Sequence, residues 1–196
     1  VSKFDFVSVR EMEHVDIVEK LSGKRCKYVL DPTLLLSSDD YARILPDKKK
    51  TSPYMLFYWL PHNGNLMKGV ELANTIARKY GLEIVHSVYD APLYMFANRS
   101  RCMLYDSVEE FLWLVKNADF VVTNSYHGTI FSMIFNRPFY TFIVESMRSR
   151  IDTLCEVAGI SDHIVTNYIT MDEIEKKVVF LGSDSRFTQK RLESMD

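Results

Sequence analysis

The chain has 196 residues, with 24 Lys plus Arg against 26 Asp plus Glu and 47% hydrophobic residues. That size and apolar fraction build one ample domain, or one domain plus part of another, and exclude a disordered tail. A formal charge of −2 excludes a surface whose main task is to coat nucleic acid, and no apolar run reaches the roughly 18 residues that span a bilayer.

The text opens at Val1 and runs almost at once into a strand pattern over residues 4–9. Such a start, with no basic leader and apolar stretch, reads either as a chain trimmed by a few residues or as the back part of a longer polypeptide. Met12, Val15, Val18 and Leu21 then fall at helical spacing, with Gly23 as the stop. A second strand is expected over 26–30, leading into the turn signal of Asp31 and Pro32. Residues 37–53 hold Ser37, Ser38, Asp39, Asp40, three consecutive lysines and two prolines, and read as a linker carrying solvated charge.

Beyond the linker the rhythm is regular. Strands are expected over 54–59 and from 82 or 83 to 89, flanking a turn at 61–64 and a helix over 66–80 closed by Gly81. Residues 90–105 read as irregular. Asp106 with Glu109 predicts a capping box, and the helix after it has Val108, Phe111, Leu112 and Val115 as its apolar face. Next come a strand over 120–123, a helix over 128–135, a strand over 139–144 and a helix through Ile151, Leu154, Cys155 and Ala158, stopped by Gly159. Thr170 with Glu173 predicts a last capped helix near 171–180, before a polar tail. Strands alternating with helices predict an α/β fold with a parallel sheet and helices on both faces.

The chemistry concentrates in residues 117–129, where a hydrophobic strand runs into Asn124, Ser125, Tyr126, His127 and Gly128 and then a helix. Ligands of open parallel sheets sit beyond the carboxyl ends of the strands. The start of a helix there favours an anion. Gly128 lets the backbone approach it, Asn124 and Ser125 add donors, and His127 can move a proton near neutral pH. A blander assignment makes Asn124 or Ser125 a helix cap and His127 a partly exposed, hydrogen-bonded residue. Arg10 follows the first strand, with Glu11 placed to orient it, and Arg148 and Arg150 precede a later helix. Guanidinium groups suit carboxylate or phosphate. His14, His62, His86 and His163 have no second ligand at metal spacing, so no metal is expected. The aromatics at 54–59 read as core and cleft wall. Cys26, Cys102 and Cys155 are odd in number and widely spaced, which fits a reducing compartment.

Three blocks, SVRE at 8–11, DPTLLL at 31–36 and EEFLWLVKNADFVVTNSYHGTIFSMIFNRPF at 109–139, resemble the polysaccharide pyruvyl transferases in order and spacing. The stretch 147–160 is similar to the family's N-x-R-x-x-x-L-L-x-x-x-G-L, with its arginine falling on Arg148 or Arg150. The resemblance implies two Rossmann-like lobes in a GT-B-like arrangement with the active site between them. Residues 1–46 would end the first lobe, 53–165 would form the second with the donor-site motif, and 166–196 would be a C-terminal helix and tail. Most of the acceptor-side N-terminal lobe would then lie outside this chain.

The implied reaction moves the enolpyruvyl carbons of phosphoenolpyruvate onto two hydroxyls of a sugar, giving a pyruvate ketal and phosphate. No cofactor is implied beyond phosphoenolpyruvate as co-substrate. The acceptor would be a glycan or lipid-linked sugar, and homo-oligomerisation stays open. The site would be cytoplasmic, or peripheral to the inner face of the membrane. His127 would be general acid or phosphate partner, and Arg10 with Arg148 or Arg150 would hold the donor. Asp31 and Glu145 would be cleft residues. Two alternatives stand beside it: a nucleotide-sugar glycosyltransferase of the same shape, in which Glu145 would grip the ribose, and an inactive binding fragment of either.

Overall fold

The computed structural model describes residues 3–60, 66–86, 96, 99–103, 107–143 and 148–165. Its first unit is a strand β1 (Val7–Val9), a 3-10 turn (Met12–His14), a helix α1 (Val15–Ser22) and a strand β2 (Cys26–Tyr28). β1 and β2 pair in parallel, Val7 opposite Cys26. Gly23 ends α1 at φ +69°, a left-handed cap that glycine adopts without steric cost. The Glu19 carboxylate reaches back to accept from the Cys26 N–H at 2.9 Å, which ties α1 to β2.

The larger sheet has six strands among the described residues: β3 (Tyr54–Tyr58), β4 (Glu83–His86), β5 (Ser100–Cys102), β6 (Phe120–Thr123), β7 (Phe139–Phe142) and β8 (Ile164–Val165). All pairings are parallel, in the spatial order β5-β4-β3-β6-β7-β8. Renumbered within this sheet the order is 3-2-1-4-5-6, the doubly wound arrangement. The chain reverses its direction of winding between β3 and β6. That crevice is where this architecture binds ligands.

Alternation along each strand divides the core in two. Tyr54, Leu56 and Val121 face a cluster with Leu112, Leu114, Val115, Ile130, Ile151 and Leu154, drawn from helices α4 (Val108–Asn117), α5 (Tyr126–Ile134) and α6 (Arg148–Ala158). Met55, Phe57 and Val122 face the opposite cluster, with Val70, Leu72, Ala73 and Ile76 of α3 (Leu66–Tyr80). Each such side chain contributes about 1.5–3 kcal/mol of burial, which fixes the register of the sheet. Helices therefore cover both faces, as the alternation predicts.

Several local expectations change. The stretch 37–53 holds a short helix α2 (Ser38–Ala42) with a reciprocal capping box between Ser37 and Asp40. Its charges are engaged: Lys48 pairs with Glu110, and Lys50 pairs with Asp119. Tyr41 of α2 packs edge-on against Phe131 of α5 at 5.1 Å, and Leu34 and Tyr41 share the larger sheet's core. Strand β5 falls in the stretch read as irregular, joined to β4 by Ile84 opposite Ser100. The cap of α4 is Ser107, whose side chain accepts from the Glu110 N–H, rather than Asp106. Val108, the first residue of α4, is 65% exposed, while Phe111, Leu112 and Val115 of the expected apolar face are buried. Helix α5 begins at Tyr126, two residues ahead of the expected start. Asp106 itself, the turn at 61–64, Thr170, Glu173 and the last helix and tail lie outside the described residues.

Candidate anion-binding site at the carboxyl edge of the sheet

The turn between β6 and α5 is held by its own small polar residues. Thr123 Oγ1 accepts from the Ser125 N–H at 3.0 Å, and Ser125 Oγ accepts from the Gly128 N–H at 3.3 Å as the cap of α5. Thr129 Oγ1 donates to the Ser125 carbonyl at 2.9 Å. Asn124 crosses the winding switch: its Oδ1 accepts from the Leu60 N–H at 2.7 Å and its Nδ2 donates to the Leu60 carbonyl at 3.1 Å. This stitches the ends of β3 and β6 together. A Cβ on Gly128 would stand 2.6 Å from Thr123 Oγ1 and 3.0 Å from the Tyr58 ring. The space at Gly128 is therefore filled by the protein, and Asn124 and Ser125 spend their side chains on the turn, which differs from their expected role as open donors.

The turn buries Tyr126 and leaves His127 outside, its side chain 46% exposed. Around these two residues three separate stretches converge. Arg10, just past β1, donates through Nη1 to Asp31 Oδ2, and its Cζ lies 5.7 Å from the centre of the Tyr126 ring. Arg150, in the first turn of α6, bonds through Nε to Glu11 Oε1 at 3.0 Å, with its Cζ 5.6 Å from the same ring. Glu11 Oε2 in turn meets His14 Nδ1 at 2.9 Å. The Tyr126 ring thus has two guanidinium groups beside it, each steered by a carboxylate.

Asp31 sits beneath them, its side chain 2% exposed. Its Oδ1 accepts from the Thr33 N–H at 3.0 Å and from Thr33 Oγ1 at 2.7 Å. Burial pushes its carboxyl up, but the donors of Thr33 and the Arg10 guanidinium outweigh that and hold it below the usual aspartate value. His127 Nε2 lies 4.0 Å from Asp31 Oδ2. Burial lowers the His127 imidazole and Asp31 raises it, while Arg10 and Arg150 lower it further; the balance is below the ordinary histidine value. Burial, aided by Asp31, pushes the Tyr126 hydroxyl up, so it stays protonated.

The site therefore assembles Arg10, Glu11, Asp31, His127 and Arg150 from distant parts of the chain. It is Arg150, not Arg148, that reaches Glu11 and the Tyr126 ring; Arg148 is exposed at the first residue of α6. Glu145 lies outside the described residues. Tyr126 and Thr33 are the residues that sequence reasoning passed over. Asp-x-Thr spacing was the available signal for Thr33, since it marks a side chain capping its own turn. Glu11, Glu13 and His14 also stand close enough together to offer ligand atoms to a cation, but Glu11 is already bonded to Arg150.

Two guanidinium groups and two carboxylates nearly cancel, so the state of His127 decides the sign of the local field. The arrangement can hold a small anion with more than one acidic group and move a proton beside it.

Comparison with solved structures agrees with the fold. A UDP-N-acetylglucosamine 2-epimerase superposes with a TM-score of 0.59 at 11% identity, over 96% of this chain and 52% of that one. S. aureus MnaA with UDP gives 0.57 at 15% identity, over 95% and 53%. A UDP-GlcNAc 2-epimerase from Neisseria meningitidis, bound to UDP-GlcNAc, gives 0.54 at 8% identity, over 97% and 60%. The chain thus spans about half the length of the solved structures it matches. No curated protein matches it at a significant level. The family model described as Polysaccharide pyruvyl transferase matches residues 1–146, a span that includes Arg10, Asp31 and the His127 turn. The chain belongs to the polysaccharide pyruvyl transferase family.

Proposed function

We propose that this chain supplies the donor half of an enzyme that transfers the enolpyruvyl group of phosphoenolpyruvate onto two hydroxyls of a sugar. The observation that carries this reading is the meeting of Arg10, Arg150 and His127 around Tyr126, beside the winding switch of the sheet. Phosphoenolpyruvate has a carboxylate and a phosphate on adjacent positions of a three-carbon frame. Two guanidinium groups beside one aromatic ring suit that pair, and the positive end of α5 adds to their field.

His127 is the proton donor of this reading. Without ligand, burial together with Arg10 and Arg150 holds its imidazole below the ordinary histidine value, against the pull of Asp31. A bound carboxylate and phosphate add negative charge and draw a proton onto the ring. Transfer of that proton to C3 of the enol phosphate turns C2 into an oxocarbenium-like carbon. One sugar hydroxyl attacks it and returns its proton to His127; the C2–O bond to phosphate then breaks, and the second hydroxyl closes the ketal as its proton leaves with the phosphate. Arg10 and Arg150 hold the departing phosphate and the carboxylate throughout, while Asn124, Ser125 and Gly128 keep the turn in place.

The acceptor-side lobe comes, on this reading, from polypeptide outside the chain. Phe4, Phe6, Met12, Ile17 and Leu21 support it, since they stand 66%, 94%, 56%, 54% and 79% exposed around a sheet of only two strands. No helix among the described residues is long and apolar enough to cross a membrane. The reading puts the enzyme in the cytoplasm, where it can meet lipid-linked acceptors at the membrane face.

The test is acceptor-dependent phosphate release from phosphoenolpyruvate by the full-length protein. His127→Ala is expected to lower that rate at least about a hundredfold with the fold unchanged. An unaltered rate removes the role given to His127. Stabilisation of the protein by UDP- or GDP-sugars and not by phosphoenolpyruvate would favour the glycosyltransferase alternative.

A further inference from the structure

Asp31 is a buried carboxylate that the reaction outlined above leaves without a task. An ionised carboxylate out of water is costly unless its oxygens are satisfied. Here Oδ1 is pinned by two donors of one residue, Thr33, at 3.0 and 2.7 Å. That pinning fixes the direction of Oδ2, which accepts from Arg10 and faces His127 Nε2 at 4.0 Å. One oxygen thus addresses both groups that the donor site depends on. A turn-forming Asp31 would need only its contacts to Thr33.

We infer that Asp31 is a positioning residue that holds the Arg10 guanidinium for the donor anion and biases the proton of His127 through Oδ2. The inference rests on the donor-site reading for its ligand, but the coupling to His127 is a property of the free protein. Charged and titratable groups face the pair from every side: Arg10 and Glu11 after β1, Tyr28 of β2, Tyr41 of α2, Tyr126 of α5 and Arg150 of α6. Arg10 and Arg150 oppose a proton on His127, and Asp31 favours one. Asp31 is the carboxylate in ion-pair range of that ring among the described residues. When a donor anion draws Arg10 towards itself, Oδ2 is relieved of part of its load, and its pull on the His127 proton grows. Donor binding and proton uptake then reinforce each other.

The experiment is an NMR titration of the His127 ring in the chain as it stands, without ligand and with phosphoenolpyruvate. Asp31→Asn keeps the shape and removes the charge. It is expected to move the His127 midpoint down by about one pH unit in the ligand-free protein, and to weaken phosphoenolpyruvate on the order of tenfold. Arg10→Met covers the case in which Asp31→Asn does not fold. With the cation gone and Asp31 kept, the His127 midpoint should rise. An unchanged midpoint in either folded variant overturns the inference. Failure of the donor reading looks different: phosphoenolpyruvate then leaves the wild-type His127 midpoint where it was, whatever Asp31 does.

Discussion

His86 ends β4 1% exposed, its ring tilted against Phe96 at 4.8 Å, and neither ring nitrogen has a hydrogen-bond partner among the described residues. Burial pushes its imidazole below the ordinary value of 6.5. The unfolded chain therefore takes up this proton before the folded one as pH falls. Stability from this residue is complete above about 6.5 and declines below it, towards the folded pKa. His86→Leu removes the ring and both unpaired nitrogens. Denaturant unfolding should find the variant within about 1 kcal/mol of wild type at pH 8, and less sensitive than wild type to a drop to pH 5. Equal losses on acidification in both proteins would show that His86 is not the sensor. Nothing in the sequence marks this residue as buried and unpaired, because a lone histidine in a strand reads the same in either state. His127 stood out as a candidate for the opposite reason: it lies where a hydrophobic strand passes through small polar residues into a helix.

At the scale of elements, the junction of β6 with α5 is the part most clearly written in the sequence. The run Phe120–Thr123 is hydrophobic, the next two residues are small and polar, and a helix follows. What the pattern could not show is why Gly128 is there. Helix α5 packs so close to the sheet that a Cβ would press on Thr123 and Tyr58. Gly128→Ala is expected to cost about 1–3 kcal/mol by overpacking, read as a lower denaturant midpoint with an unchanged slope. An alanine that costs nothing would mean that the helix can retreat from the strand. Three other elements escaped the sequence because their signals are short, the shortest being β8 with two residues. Strand β5 has three residues with little alternation. Helix α2 has five, in a stretch whose charge and prolines suggest a linker. The choice between Arg148 and Arg150 was open for a similar reason: the sequence put both before a helix, whereas both lie in the first turn of α6, and the helix's orientation decides which side chain meets Glu11.

Across the whole molecule, two sheets of very different completeness share one chain. The six-stranded sheet has helices on both faces, while the two-stranded one leaves Phe6 and Leu21 almost bare. An apolar surface of that kind drives association when nothing covers it. Sedimentation should therefore find the isolated chain prone to self-association, and Phe6→Ser with Leu21→Ser should reduce it without lowering the unfolding midpoint by more than about 1 kcal/mol. A strictly monomeric wild-type chain at high concentration would contradict this. The sequence showed the strand and helix of this unit but not their exposure. The pattern that makes one face apolar does not say whether anything packs on it.

Buried turns at the carboxyl edge of the sheet bring Arg10, Arg150 and His127 together around Tyr126, and the proposed function has them hold one small, doubly acidic donor. Calorimetric titration of phosphoenolpyruvate into the chain, and into Arg10→Lys with Arg150→Lys, tests it most directly. The account predicts saturable binding at one site, weakened at least about tenfold in the double variant because lysine cannot reproduce the guanidinium fork. No binding to the folded wild type, or equal binding to both proteins, would contradict it.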